Sequence, residues 1–117
     1  MTEFVRLVLE LLAPVGEVRA SAMFGGFGIY QRETVFAIII IIVDDTLYFK
    51  TDAATSRQFS ALGLGPFTYV ARGKRVALQY YEVPPDVFES PEVMREYALE
   101  AIGVARRATG RKRKRSA

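Results

Sequence analysis

The stretch Val35-Phe36-Ala37-Ile38-Ile39-Ile40-Ile41-Ile42-Val43 contains nine consecutive apolar residues in a chain of 117. A transmembrane helix needs about 20 apolar residues, so this run is far too short to span a membrane. β-Branched residues favour strands, and an unbroken apolar run is typical of a strand that is covered on both faces. The run therefore predicts a buried β-strand. If one of its faces were open to solvent, it would form a sticky patch that favours self-association.

Strand signals extend on both sides of this run, from residue 17 to residue 50. The upstream alternation of apolar residues is interrupted by a glycine cluster, which predicts a sharp bend or bulge at Gly25, Gly26 and Gly28. Turns are predicted at residues 31–34 and at Asp44-Asp45-Thr46, and a short strand is predicted at residues 47–50.

Three amphipathic segments predict helices at the start, middle and end of the chain. They cover residues 2–13, 52–62 and 90–108, and each opens on a capping residue: Thr2, Asp52 and Ser90. Gly110 is predicted to mark the end of the last helix. Between the second and third helices, residues 67–70 and 76–81 predict a hairpin that turns at residues 72–74.

The element order is therefore αββββαββα, which predicts a two-layer α+β fold with helices on a mainly antiparallel sheet. The length predicts one domain, residues 1–107, followed by a basic, disordered tail at residues 108–117.

Charge is divided unevenly along the chain. Residues 1–105 carry nine bases and all 13 acids, whereas the last twelve residues carry seven bases and no acid. Such a polycation can bind nucleic acid by releasing counterions, without reading its sequence. The alternative is a solvated tail with no specific partner. The candidate contacts to nucleic acid are Arg106, Arg107, Arg111, Lys112, Arg113, Lys114 and Arg115.

Two residue types that carry much of enzyme chemistry are missing, because the chain has no Cys and no His. Their absence excludes a Ser-His-Asp triad, a thiol nucleophile and a Cys/His zinc site. The N-terminal residues have an acid at Glu3 and no preceding cationic segment, so a secretory signal is not expected. We expect no catalytic residue, no cofactor, no metal and no membrane association, and a cytoplasmic location.

The glycine cluster and the paired carboxylates each fit a structural role as well as a functional one. Gly26 and Gly28 open a dinucleotide-binding pattern, but Gln31 stands at its third position and the segment leads into a strand. Paired carboxylates occur at Asp44 with Asp45 and at Glu82 with Asp86, yet the first pair fits a turn.

Aromatic and basic residues alternate in the late hairpin, a combination that can stack single-stranded bases. The aromatics are Tyr69, Tyr80 and Tyr81, and the bases are Arg72, Lys74 and Arg75. Because Tyr80 and Tyr81 are adjacent in a strand, they are predicted to point to opposite faces, one in the core and one exposed.

At Met23-Phe24-Gly25-Gly26-Phe27-Gly28-Ile29-Tyr30 the chain resembles the TfoX N-terminal domain family (TfoX/Sxy-like). The similarity covers residues 3–107 and continues through Phe36-Ala37, residues 44–50, residues 52–55, residues 66–69 and residues 77–84. The family's segment equivalent to residues 36–44 is shorter by about three residues, which a bulge would have to absorb.

The resemblance implies a small α+β domain that is related to secretion-chaperone-like folds and often pairs as a dimer. It implies a non-enzymatic regulator of competence and a transcriptional coactivator with a protein partner, and it supplies no catalytic residues. The matched residues are interpreted as fold determinants: Met23 and Phe24 as core, Gly25, Gly26 and Gly28 as bend, and Asp44 and Asp45 as turn.

Two alternative functions remain open at this point. A chaperone-like module that binds an extended peptide would be favoured by unfilled apolar surface along residues 38–42. A small-ligand enzyme that uses the glycine bend and nearby acids would need a pocket with polar groups beside Gly26.

Overall fold

The computed structural model describes residues 2–23, 25–42 and 44–116, with side chains as far as Gly110. The α-helices are α1 (Glu3–Leu11), α2 (Ala53–Ala61) and α3 (Pro91–Ser116), and short 3-10 turns lie at Ala13–Val15 and Pro85–Phe88. The strands are β1 (Val18–Met23), β2 (Gly26–Gln31), β3 (Thr34–Ile40), β4 (Thr46–Lys50), β5 (Pro66–Ala71) and β6 (Lys74–Glu82).

The six strands form one antiparallel sheet in the order β1-β2-β3-β4-β6-β5. Apolar side chains of the three helices and of one sheet face pack into a single core. The predicted α+β class and the order αββββαββα are therefore confirmed. Within the described ranges, no helix is long and apolar enough to cross a membrane.

The isoleucine run forms the buried strand that the sequence predicts, as far as Ile40. Ile38, Ile39 and Ile40 are each at most 5% exposed, so β3 is covered on both faces. Ile41 and Ile42 lie beyond the strand, and Ile42 is 78% exposed. The end of the apolar run therefore lies in the connection between β3 and β4. Extra residues in that connection do not change the face to which each β3 side chain points. Val43 lies outside the described residues.

A β-bulge shifts the alternation at the start of β3. Ile29 pairs with Ala37 and Tyr30 pairs with Val35, which leaves Phe36 as the extra residue. Phe36 and Ala37 are both fully buried, and the Phe36 ring lies 6.2 Å from that of Phe49. The bulge therefore directs two consecutive side chains into the core beneath the helices.

The glycine bend is found at the hairpin turn between β1 and β2, but its prediction at Gly28 is wrong, because Gly28 pairs regularly inside β2. Gly25 has φ +73°, a backbone conformation that favours glycine. Gly26 begins β2 so close to β3 that a Cβ atom there would clash with the carbonyl oxygen of Ile39. The prediction of Met23 as core is wrong, since this residue ends an edge strand on the face without helices and is 44% exposed. Phe24 lies outside the described residues.

The three predicted helix caps are confirmed. Hydroxyl oxygens of Thr2 and Ser90 accept bonds from the amides of Val5 and Val93, at 3.2 and 3.3 Å. Asp52 caps α2 in a capping box with Thr55.

The predicted end of the last helix is wrong, because α3 continues past residue 108 and through Gly110 to Ser116. The residues after Gly110 are mainly Arg and Lys, which propagate a helix well. The side chains of residues 111–116 lie outside the description. The division of the chain into a domain and a tail stays a prediction.

Replacing Gly26 with Ala should destabilise the fold by about 3 kcal/mol, because the added methyl group forces β2 away from the Ile39 carbonyl. Gly65→Ala is the matched control, since a Cβ at Gly65 meets no atom within 4 Å. Urea unfolding of both variants measures the difference. An equal effect of the two substitutions would contradict the close-approach explanation.

Candidate functional site

We call the face of the sheet turned away from the helices the open face. Ile29, Ala37 and Ile39 point into the helical core, so their strand neighbours point to the other side. By register, the open face carries Arg19, Ser21, Met23, Gly26, Gly28, Tyr30, Val35, Ile38, Ile40, Thr46, Tyr48, Lys50, Phe67, Tyr69, Ala71, Lys74, Val76, Leu78, Tyr80 and Glu82.

The open face is concave. A depression of about 290 Å³ is lined by Met23 and Ser21 of β1, by Phe67 of β5, and by side chains from the strands between. Since β1 and β5 are the two edges of the sheet, the sheet curls so that both edges border one depression. This curl buries Ile38 on the face that has no helix.

Aromatic rings line one side of the open face. The Tyr48 and Phe67 rings meet edge to face at 5.5 Å, and the Phe67 and Tyr69 rings stack at 6.3 Å. Tyr69 ends this row and is 43% exposed. Tyr80 also lies on this face, whereas Tyr81 packs against Phe59 in the core, so the predicted separation of the two tyrosines is confirmed. Tyr80 is half-buried rather than exposed.

Two cations lie against tyrosine rings of the open face. The Arg19 guanidinium lies 4.4 Å from the centre of the Tyr30 ring, and the Lys50 ammonium lies 4.9 Å from that of Tyr80. These are cation–π distances, and they place positive charge above aromatic surface.

The hydroxyls of Tyr48 and Tyr80 on this face stay protonated at neutral pH. Burial raises the pKa of Tyr80, and the nearby Tyr30 adds to the shift. Burial also raises the pKa of Tyr48, with the negative charge of Glu82 adding to it. Both hydroxyls are therefore hydrogen-bond donors and not charged groups.

Charge on the open face differs from that of the rest of the domain. Residues 1–105 have an excess of acids. On the open face the cations are Arg19, Lys50 and Lys74, and the acid is Glu82. Glu82 is the one acid within the six strands as the structure describes them. The fold thus collects positive charge around an aromatic surface.

The glycine and carboxylate patterns take structural places. Gly28 forms part of the floor of the depression, and its neighbours there are apolar: a Cβ would approach Val35 and the Met23 sulfur. Asp44 and Asp45 have φ of +73° and +30°, which confirms their place in a turn.

The acids of the two predicted carboxylate pairs are grouped differently in the structure. The two turn acids border a second depression, of about 260 Å³, together with Glu82 but without Asp86. In the described part of the chain, no three acids are placed to hold a metal ion.

The first two residues of the predicted polycation contact the body of the domain. The Arg106 guanidinium donates to the side-chain oxygen of Gln31, and that of Arg107 lies 3.6 Å from the Asp52 carboxylate. The remaining five cations, residues 111–115, lie on the final turns of α3. No pattern in the sequence indicated the two anchoring contacts, because their partners lie 75 and 55 residues away.

A comparison with protein-family models matches residues 10–105 to the TfoX N-terminal domain. Among curated proteins, the chain is 31% identical over 90 residues to the DNA transformation protein TfoX of Haemophilus influenzae. The match covers 75% of this chain and 40% of that relative. The chain therefore corresponds to less than half of the relative's length.

The charge on Asp52 should stabilise the fold in a pH-dependent way. The hydrogen bond from the Thr55 amide lowers the pKa of Asp52, and the Arg107 guanidinium lowers it further. Asp52→Asn keeps a capping side chain and removes the charge, and we expect a loss of about 0.5 kcal/mol at pH 7.

The stabilisation is present above the unfolded carboxyl pKa of about 3.9 and is lost as the pH falls through the lower folded value. Urea unfolding of both proteins from pH 7 down to about pH 2 measures it. A difference that stays constant with pH would contradict the role of the charge.

Proposed function

The chain belongs to the TfoX N-terminal domain family, and from this membership we propose that it is a non-enzymatic regulatory domain that binds its partner through the open face. The regulated process in this proposal is competence for DNA uptake, since the Haemophilus relative is named for DNA transformation. Because the chain corresponds to less than half of that relative's length, a role of this chain in DNA uptake is part of the proposal.

The observation that carries the proposal is the apolar and aromatic open face. Met23, which lines the depression, is 44% exposed, and Tyr69, at the end of the aromatic row, is 43% exposed. A concave apolar surface with a few polar groups is the usual form of a binding site.

Other readings of the chain find less support. Ile38, Ile39 and Ile40 are buried, and Ile42 is exposed as a single residue beyond β3, so the peptide-binding alternative lacks a continuous unfilled surface along residues 38–42. The small-ligand alternative needs convergent polar groups beside Gly26, where the nearest atoms belong to the β3 backbone. A homodimer, a protein partner in transcription and a cytoplasmic location stay predictions.

Met23→Glu should abolish regulation, because it places a charge at the rim of the depression. Leu99→Glu on α3 is the matched control, since Leu99 is 41% exposed and lies away from the open face. In host cells that lack their own copy, we expect transcripts of DNA-uptake genes to fall by about fivefold or more with Met23→Glu. They should keep the parent level with Leu99→Glu.

Immunoblots establish that both variants accumulate equally. Full induction by Met23→Glu at equal protein abundance would overturn the proposed role of the open face. So would an equal loss with Leu99→Glu, which would reflect added surface charge alone.

The basic end of α3 is a second proposed contact, for duplex DNA without sequence preference. What supports it is the block of five cations at residues 111–115, continuous with a helix that is anchored through Arg106 and Arg107. Phosphate contacts of this kind release counterions and make the affinity steeply dependent on salt.

Replacing residues 111–115 with glutamine should weaken duplex binding and flatten its salt dependence. Each lost phosphate contact reduces the slope of log K against log salt by about 0.9, so five contacts reduce it by about 4.5. The control replaces the exposed Arg6, Arg57 and Arg95 with glutamine and should leave the slope unchanged. Fluorescence anisotropy at several salt concentrations measures both. Identical slopes for the parent and the five-glutamine variant would contradict the contact.

A further inference from the structure

We propose that the partner of the open face is single-stranded DNA, with bases stacked on the exposed aromatic row and phosphates held by the cations around it. This inference rests on the proposed function, because it names the partner of the same surface.

The aromatic row offers a stacking platform. Phe67 and Tyr69 already stack on each other, and Tyr69 ends the row with 43% of its surface exposed. A base that stacks on the Tyr69 ring extends an existing arrangement, since Phe67 is itself held in place by its contact with Tyr48. Base–aromatic stacking tolerates any sequence because every base has a π-face.

The charges complement a polyanion. By register, Lys74 lies diagonally across β6 from Tyr69, within reach of a phosphate next to a base stacked there. Arg19 and Lys50 lie over the Tyr30 and Tyr80 rings, on the other walls of the depression. In a symmetric dimer formed through this face, the three cations of the second copy would face the same three cations of the first. The positive open face therefore favours a nucleic acid over self-association.

The form of the ligand follows from the same residues. Bases inside a duplex are stacked on both faces, so an aromatic platform selects a single strand. Gly28, Val35 and Ile38 in the lining of the depression carry no side-chain donor or acceptor, whereas Ser21, Tyr30 and Tyr80 carry hydroxyls. The choice of DNA over RNA rests on the proposed function, in which the regulated process is the uptake of DNA.

The test uses the full chain with residues 111–115 replaced by glutamine, so that the end of α3 adds no binding. The probe is a labelled oligothymidylate of about 15 nucleotides, the upper range for one small binding surface. We expect Tyr69→Ser to weaken binding about tenfold, Tyr69→Phe to retain it, and Leu99→Ser to leave it unchanged. Because the chain has six Tyr and no Trp, stacking should also quench its tyrosine fluorescence.

The charges give an independent measurement. Lys74→Gln should reduce the salt slope by about 0.7, the value for one phosphate of a single strand, whereas Arg57→Gln on α2 should not change it. Glu82→Gln removes the acid of the open face and should tighten binding by about twofold. Circular dichroism and urea midpoints confirm that each variant is folded.

Three results would overturn the inference: unchanged affinity in Tyr69→Ser, equal affinity for an oligouridylate, or equally effective competition by polyglutamate. Unchanged affinity in Tyr69→Ser would contradict stacking on the aromatic row. Equal affinity for an oligouridylate would contradict the preference for DNA, and equal competition by polyglutamate would show that binding depends on charge alone. If Met23→Glu abolishes regulation while Tyr69→Ser leaves the affinity for oligothymidylate unchanged, the regulatory role of the open face is supported and its partner is not single-stranded DNA. If Tyr69→Ser weakens binding while Met23→Glu regulates normally, the proposed function fails and the binding site stands.

Discussion

The structure depends on the need to cover β3 on two faces when helices pack on one. Ile39 and Ala37 lie under the helices in the main core. Ile38 points to the other side of the sheet, yet it is buried there, with only 5% of its surface exposed. Exposing an isoleucine there would forfeit roughly 1.5–3 kcal/mol of hydrophobic stabilisation. The sheet satisfies this demand by curling, so that side chains from β1, β5 and β6 surround Ile38 where no helix lies.

The curl creates the surface on which binding is proposed. Curling brings both edges of the sheet to one depression, whose lining includes the aromatic side chains Tyr30, Phe67 and Tyr80. Glycine at position 28 keeps the floor of the depression open, because a side chain would meet the Tyr30 ring and Val35. The curl of the sheet that covers Ile38 is therefore also what makes the open face concave.

Local rules predicted the elements, and their limits explain what the sequence did not show. Thr2, Asp52 and Ser90 cap helices through bonds that span three residues, so the order of elements could be inferred from neighbouring residues alone. The bulge at Phe36 could not, since strict alternation places Phe36 on the same face as Ile38. The sequence predicts Met23 wrongly as core, because an apolar residue beside glycines carries no sign of which sheet face lacks helices. Gly110 suggested a helix end, but a flanking run of good helix formers outweighs one glycine.

Net charge conceals the electrostatic pattern of the open face. Counted along the chain, the domain is acidic and the last twelve residues are basic, which draws attention to the end of α3 alone. Folding separates charge a second time, because the acids fall mostly on helices and turns while the open face receives Arg19, Lys50 and Lys74. Alternation along strands decides this distribution, and it becomes visible only when the register between strands is known. The two basic regions also differ in kind. The end of α3 offers charge to any polyanion, whereas the open face combines charge with rings in fixed positions, and fixed rings add discrimination that charge does not supply.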